Sequence, residues 1–204
     1  GPEARHAAAA MRLAPGETVI LADGSGTLGH GTVLAAAPDG VSVRLVAVAE
    51  EPAPTPALVL VQALAKGDRD LMAVQAAVEL GVDAVVPWEA ERSIVRWKGP
   101  KAAKARQKWA DTARAAAKQA RRARVPAVRD HVSGTAVAGL AWDDDGGRLV
   151  LVQHEDAEHG VSAVPAERLS AAVEIAVVVG PEGGIGAAEL EACVAAGAVP
   201  VRLG

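Results

Sequence analysis

The chain has 204 residues, of which 50% are hydrophobic and 23% charged, and a formal net charge of -4; this is the balance of a globular protein, not of a disordered or collagen-like one. One cysteine excludes an internal disulfide, and without Phe or Tyr any core is built from Val, Leu, Ile and Ala plus four Trp. The longest apolar stretches fall far short of the ~18 residues of a membrane span and nothing resembles a signal peptide, so a cytoplasmic location is the default expectation.

Taken in chain order, the first 50 residues alternate short apolar runs with turn residues. Strands are expected at 17–22, 31–36 and 41–48, separated by the hairpin signals Asp23-Gly24 and Pro38-Asp39-Gly40. They read as a small β-barrel or sandwich. The stretch EPAPTP, Glu51 to Pro56, then carries three prolines that fit neither a sheet nor a helix interior, which marks a semi-rigid linker. The expected division is a barrel at 1–52, a linker at 53–56 and a second domain at 57–204.

From Ala57 the rhythm becomes strand and helix in alternation. ALVLVQAL (57–64), VDAVVPW (82–88), RLVLVQHE (148–155) and EIAVVVG (174–180) read as strands, and the last helix leads into AVPVRLG. DRDLMAVQAAVELG (68–81) reads as a helix with Gly81 as its C-terminal cap, 99–123 as a long basic helix, and GAAELEACVAAG (186–197) as a further helix. Such alternation predicts a parallel α/β sheet. The basic helix belongs to an uneven charge distribution: 12 of the 21 Lys and Arg lie between Arg92 and Arg124, where Asp111 is the only acid. A solvated helix face accounts for many charge runs, but a nearly single-signed stripe repels itself unless an anionic partner compensates. Nucleic acid is the natural one.

Several motifs dissolve on inspection. Gly24, Gly26 and Gly29 have dinucleotide-fingerprint spacing, but HGTVLAAAPDG follows, a strand and turn where the fingerprint needs a helix. His154 and His159 are five residues apart, whereas a metallopeptidase helix needs four, so no metal site is expected. Cys193 among alanines reads as a small core residue. Trp97 and Trp109 flank the basic stretch and are read as packing residues before base-stacking ones. His154 and Glu155 sit at the C-terminal end of a strand, where open α/β sheets put ligand loops.

The most informative stretch is EIAVVVGPEGGIG, 174–186. Gly180, Gly183 and Gly184 let main-chain groups approach a ligand closely. The loop lacks the Lys-Ser/Thr ending of a phosphate loop, and Glu182 would repel phosphate. It suits a ligand that is neutral or cationic at the point of contact, such as a nucleoside bearing a sulfonium.

At this point VVVGPEGGIGAAELEACVAAGAVPVRLG resembles the cofactor-binding end of the SPOUT methyltransferases, and specifically of the ribosomal RNA small-subunit methyltransferase E (RsmE) family. ARHAAAAMRLAPGETVILADGSG resembles that family's PUA-like barrel. KGDRDLMAVQAAVELGVDAVVPWEAERSIVRW resembles its first helix-strand unit, and KQARRARVP its Gln-Ser-x-Arg-x-Arg-Val-Pro stretch. Ala120 stands where the family usually has Ser, and Gly186 where Ser or Ala is common.

The resemblance implies an α/β fold: a SPOUT-type domain with a C-terminal trefoil knot, preceded by the PUA-like barrel. It implies an S-adenosylmethionine-dependent enzyme that methylates ring nitrogen 3 of a uridine in 16S ribosomal RNA of the small subunit, acting as a homodimer without a metal. Carried over by position, Gly180, Pro181, Glu182, Gly183, Gly184, His154, Glu155, Leu203 and Gly204 would form the cofactor pocket. Gln119, Arg122 and Arg124 would serve catalysis or face RNA, and Arg12, Lys118 and Arg121 would contact RNA. Members of the family continue past the equivalent of Gly204 with a Leu-Arg-Thr-Glu-Thr-type segment and a helix that complete the knot and the pocket, so tails beyond the given residues are expected. No general base stands out, His154 being a weak candidate. A non-catalytic RNA-binding or ribosome-assembly protein, and a SPOUT enzyme with another RNA target, remain open alternatives.

Overall fold

The structure is a computed structural model that describes residues 13–37, 39–140 and 147–202. Its contacts fall into two units, one formed by the first 53 residues together with Arg122–Arg124, the other by Pro54–Arg121 and Val125 onward.

In the first unit, β1 (Thr18–Ala22), β2 (Thr27–Ala37) and β3 (Gly40–Glu50) form an antiparallel sheet in the order β1-β2-β3. The β1–β2 turn is built by Asp23, whose carboxylate accepts hydrogen bonds from the Ser25 N–H at 2.7 Å, the Ser25 hydroxyl at 2.5 Å and the Thr27 N–H at 3.0 Å. Those bonds, led by the Ser25 hydroxyl, hold the carboxyl well below the usual range. The second strand begins at Thr27, four residues before the expected start, because the run Thr27–His30 continues the ladder through a bulge at His30/Gly31. Gly29 therefore lies inside a strand, and no helix opens at the false fingerprint. Gly26 has φ +114°, and a Cβ there would collide with the Arg124 guanidinium.

The second unit is a parallel sheet in the order β10-β8-β9-β4-β5-β6, with β7 also paired to β5. Its strands are β4 (Ala57–Ala63), β5 (Ala84–Glu89), β6 (Ala127–Val128), β7 (Val132–Ser133), β8 (Arg148–Gln153), β9 (Glu174–Val179) and β10 (Val199–Val201). Helices α1 (Arg69–Glu79) and α2 (Pro100–Gln119) cover one face, where Val74, Val78, Trp109 and Ala113 pack with Val85 and Leu64. On the other face Val59, Val61, Val86, Trp88, Val152 and Val178 pack with Cys193 of α4 (Ala187–Ala195). Both faces are covered, which is why these strands read as unbroken apolar runs.

The helix ends show where local chemistry decides. Gly81 at φ +108° closes α1 as expected, with its N–H donating to Val78 O and the Val82 N–H to Ala77 O. The basic helix was expected to reach Ala123 and instead ends at Gln119, because Arg121 takes the left-handed position, φ +53°, that glycine usually occupies. The short helix α3 (Ala166–Ala171), which starts after Pro165, was not anticipated: six residues are too few to show a helical period.

Candidate functional site

Strands β8, β9 and β10 end on the same side of the sheet, and a cleft of about 620 Å³ opens there. Its walls include all five residues of the loop Gly180-Pro181-Glu182-Gly183-Gly184, with His154 and Glu155 from the end of β8. The structure places these seven residues, expected from the sequence to share a pocket, around one cleft. The sequence reading missed Arg92, Gln153, Ile185 and Arg202, which share the walls.

The loop's shape follows from its glycines. Pro181 to Gly184 form a tight turn closed by the Gly184 N–H on Pro181 O at 2.9 Å, and Gly184 then takes φ +77°. At Gly180 a Cβ would lie 2.7 Å from Ile185 Cγ1, so the chain folds back on itself only without a side chain.

The acids around the loop are already engaged. Glu182 Oε1 accepts from Arg69 Nη1 at 3.1 Å, and its own backbone N–H, followed by Arg69, holds its carboxyl below the usual value. Glu189, 1% exposed in the first turn of α4, accepts from the Gly186 N–H at 3.1 Å and the Glu91 N–H at 2.7 Å. Glu91 Oε2 also sits where a Gly186 Cβ would be. Two carboxylates thus fill the positive end of α4, and a phosphate would meet them there.

His154 is held by its own N–H on Val201 O at 2.9 Å, which ties the end of β8 to β10. Its Nδ1 accepts from the Asp156 N–H at 3.2 Å. A neutral His154 so arranged keeps its proton on Nε2 and presents a donor, so it is not built as a base through that nitrogen. Among the described residues no group of three or more His, Cys, Asp or Glu is placed to hold a metal ion, and no helix is long and apolar enough to cross a membrane.

The other expected residues lie elsewhere. Gln119 and Lys118 are exposed in the last turn of α2, and Arg121 is exposed just beyond it. Arg122 and Arg124 group with the first unit, where Arg124 Nη2 donates to Glu51 O at 2.6 Å. Arg12, Leu203 and Gly204 lie outside the described residues. Trp97 and Trp109 are buried against each other, centroids 5.6 Å apart and planes at 83°, so they pack and are not offered to bases.

The RNA methyltransferase domain family matches residues 51–204, and the RNA methyltransferase PUA domain family matches residues 1–46. The ribosomal RNA small subunit methyltransferase E of Mycobacterium tuberculosis is 39% identical over 206 residues, covering 100% of this chain and 77% of that protein. This chain belongs to the ribosomal RNA small-subunit methyltransferase E family. The Bacillus subtilis member is 31% identical over 195 residues, covering 94% of this chain and 75% of its own length. A crystal structure of the Neisseria gonorrhoeae member bound to S-adenosyl methionine superposes with a TM-score of 0.83 at 27% identity, across 100% of this chain and 81% of that one. The family's PUA-type N-terminal domain and SPOUT-type α/β domain are those expected from the sequence.

Proposed function

We propose that this chain is an S-adenosylmethionine-dependent ribosomal RNA methyltransferase that modifies ring nitrogen 3 of a uridine in 16S ribosomal RNA and works as a homodimer in the cytoplasm. The observation that carries the reading is the glycine loop after β9 opening on a cleft at the strand ends, in a member of this family. The residues fit a nucleoside sulfonium. Main-chain groups of Gly180–Gly184 line the cleft, Glu182 adds a carboxylate, and His154 and Glu155 face it from β8.

When bound, the cofactor supplies an electrophilic methyl group on a sulfonium sulfur. The chain's share of the work is positioning in the cleft that the loop lines. The ring nitrogen would lose its proton to solvent before taking up the methyl, and its pairing edge is hidden in a duplex, so the uridine is unpaired or flipped out. Lys118, Arg121 and Arg12 are assigned to phosphates, and Gln119 and Arg122 to the substrate side. Arg122 would stabilise the developing uridine anion, whereas the Arg124 guanidinium is committed to Glu51 O and to the space over Gly26. The knotted topology is supported by β10 lying outside β8, so that the chain leaving β9 returns past the strand before it. Leu203 and Gly204 come after Arg202 in the sequence and are assigned to the next wall of the pocket.

Titrating S-adenosylmethionine into the protein and mass-mapping 16S ribosomal RNA from a strain lacking it test the two halves of the proposal. Saturable binding together with loss of one N3-methyluridine is expected. An unchanged methyluridine would send the activity to another RNA target, and no binding would leave an RNA-binding protein.

A further inference from the structure

Arg92 lies on the loop after β5 and lines the cleft, yet a guanidinium gains nothing from a ligand that is cationic where it touches. Its partner is the protein itself. Arg92 Nη1 donates to Gly183 O at 2.9 Å. The side chain passes over both loop glycines: a Cβ on Gly183 would lie 3.4 Å from Arg92 Cβ, and one on Gly184 3.5 Å from Nη1.

The neighbouring residue holds the far end of the same loop. The Glu91 N–H donates to Glu189 Oε1, and the other oxygen of that buried carboxylate accepts from the Gly186 N–H. The anchor is itself stiff. Ser93 N–H closes a turn on Ala90 O at 3.0 Å, and Arg96 donates to Ala90 O and Glu91 O, both at 2.7 Å.

We infer that Arg92 is a positioning residue of the cleft, fixing the Gly183–Gly184 turn in its binding shape before any ligand arrives. Two adjacent glycines otherwise sample many conformations, and affinity falls with the fraction of time the competent one is absent. The inference rests on the reading of the cleft as a cofactor site, but its structural half can be measured without a ligand.

Hydrogen exchange of the peptide spanning 179–186 is compared in the wild type, Arg92→Ala and Arg92→Lys, alongside S-adenosylmethionine titration by calorimetry and the melting temperature of each. The expected result is faster exchange confined to this loop in Arg92→Ala, a Kd about five- to tenfold higher, in line with one charge-assisted hydrogen bond, partial recovery in Arg92→Lys, and an unchanged melting temperature. Wild-type exchange in Arg92→Ala, or faster exchange spread through the whole protein with a lower melting temperature, would overturn it. If the loop loosens as expected but the wild type binds no S-adenosylmethionine, the positioning role stands and the cofactor reading falls.

Discussion

Arg129 and Glu174 form a two-pronged ion pair, 2.6 and 3.2 Å, at the opposite end of β9 from the cleft. Arg148 approaches the same carboxylate at 3.6 Å. The hydrogen bonds from Arg129 hold the Glu174 carboxyl below its usual value, against the opposing effect of burial. A depressed carboxyl contributes stability that is complete above its unfolded value, about 4.3, and is lost as pH falls through the folded value. Glu174→Gln is expected to cost about 1 kcal/mol at neutral pH and to flatten the acid side of the stability curve, as read by thermal unfolding from pH 7 to 3. An acid limb as steep as that of the wild type would show that other carboxylates dominate.

Gly180 and Gly186 are two glycines with unequal tolerance. A methyl group at Gly180 meets Ile185, which is buried; Gly180→Ala should cost about 1–3 kcal/mol and weaken cofactor binding. At Gly186 the nearest obstacle is the end of the flexible Glu91 side chain, with Glu189 Oε2 next at 3.2 Å, so Gly186→Ala should cost less than Gly180→Ala, about 1 kcal/mol or below. Chemical denaturation of both variants provides the comparison.

Arg121 sits in a backbone conformation that L residues avoid. Arg121→Gly should stabilise the protein by up to about 1 kcal/mol while lowering affinity for a 16S ribosomal RNA fragment. Stabilisation without loss of RNA affinity would take Arg121 out of the RNA surface.

On α2, Arg106 is turned inward to Val128 O and Arg129 O, and Lys108 pairs with Asp68 at 2.9 Å. Lys101, Lys104 and Arg114 are exposed and lie on the side away from Trp109 and Ala113. Replacing those three with Ala should reduce the slope of log affinity against log salt by about 2 to 3 with no change in melting temperature. Arg124→Ala is a poorer probe, because it also removes the contact with Glu51 and the filling of the space over Gly26.

Cys193 is fully buried beside Glu189, and burial, followed by that carboxylate, pushes its thiol up to about 11. Thiol reagents at pH 8 should label it only at the rate at which the protein opens. Rapid labelling of the native protein would contradict this burial.

The parallel sheet was legible because strands covered on both faces, such as Arg148–Gln153 and Glu174–Val179, announce themselves as apolar blocks bounded by charged and turn residues. The loop Gly180–Gly184 was legible because glycine spacing is a backbone property carried in the sequence. Arg92 was not, since its role depends on a contact with Gly183 across 91 positions of chain. Arg121 misled because a helix is expected to stop at glycine, and here an arginine bears the left-handed turn. Arg124 looked like one more member of a basic run until its guanidinium was found packed over Gly26.

The protein has no Phe or Tyr, and none of its four Trp precedes Trp88. Trp88, Trp97 and Trp109 are all buried in the α/β unit. Intrinsic fluorescence is therefore dominated by rings outside the N-terminal unit, three of them buried in the α/β unit, and the first 53 residues, with no aromatic ring of these kinds, contribute no emission of their own. A melting curve followed by tryptophan emission would pass over an early loss of the N-terminal sheet, whereas circular dichroism or calorimetry would register it.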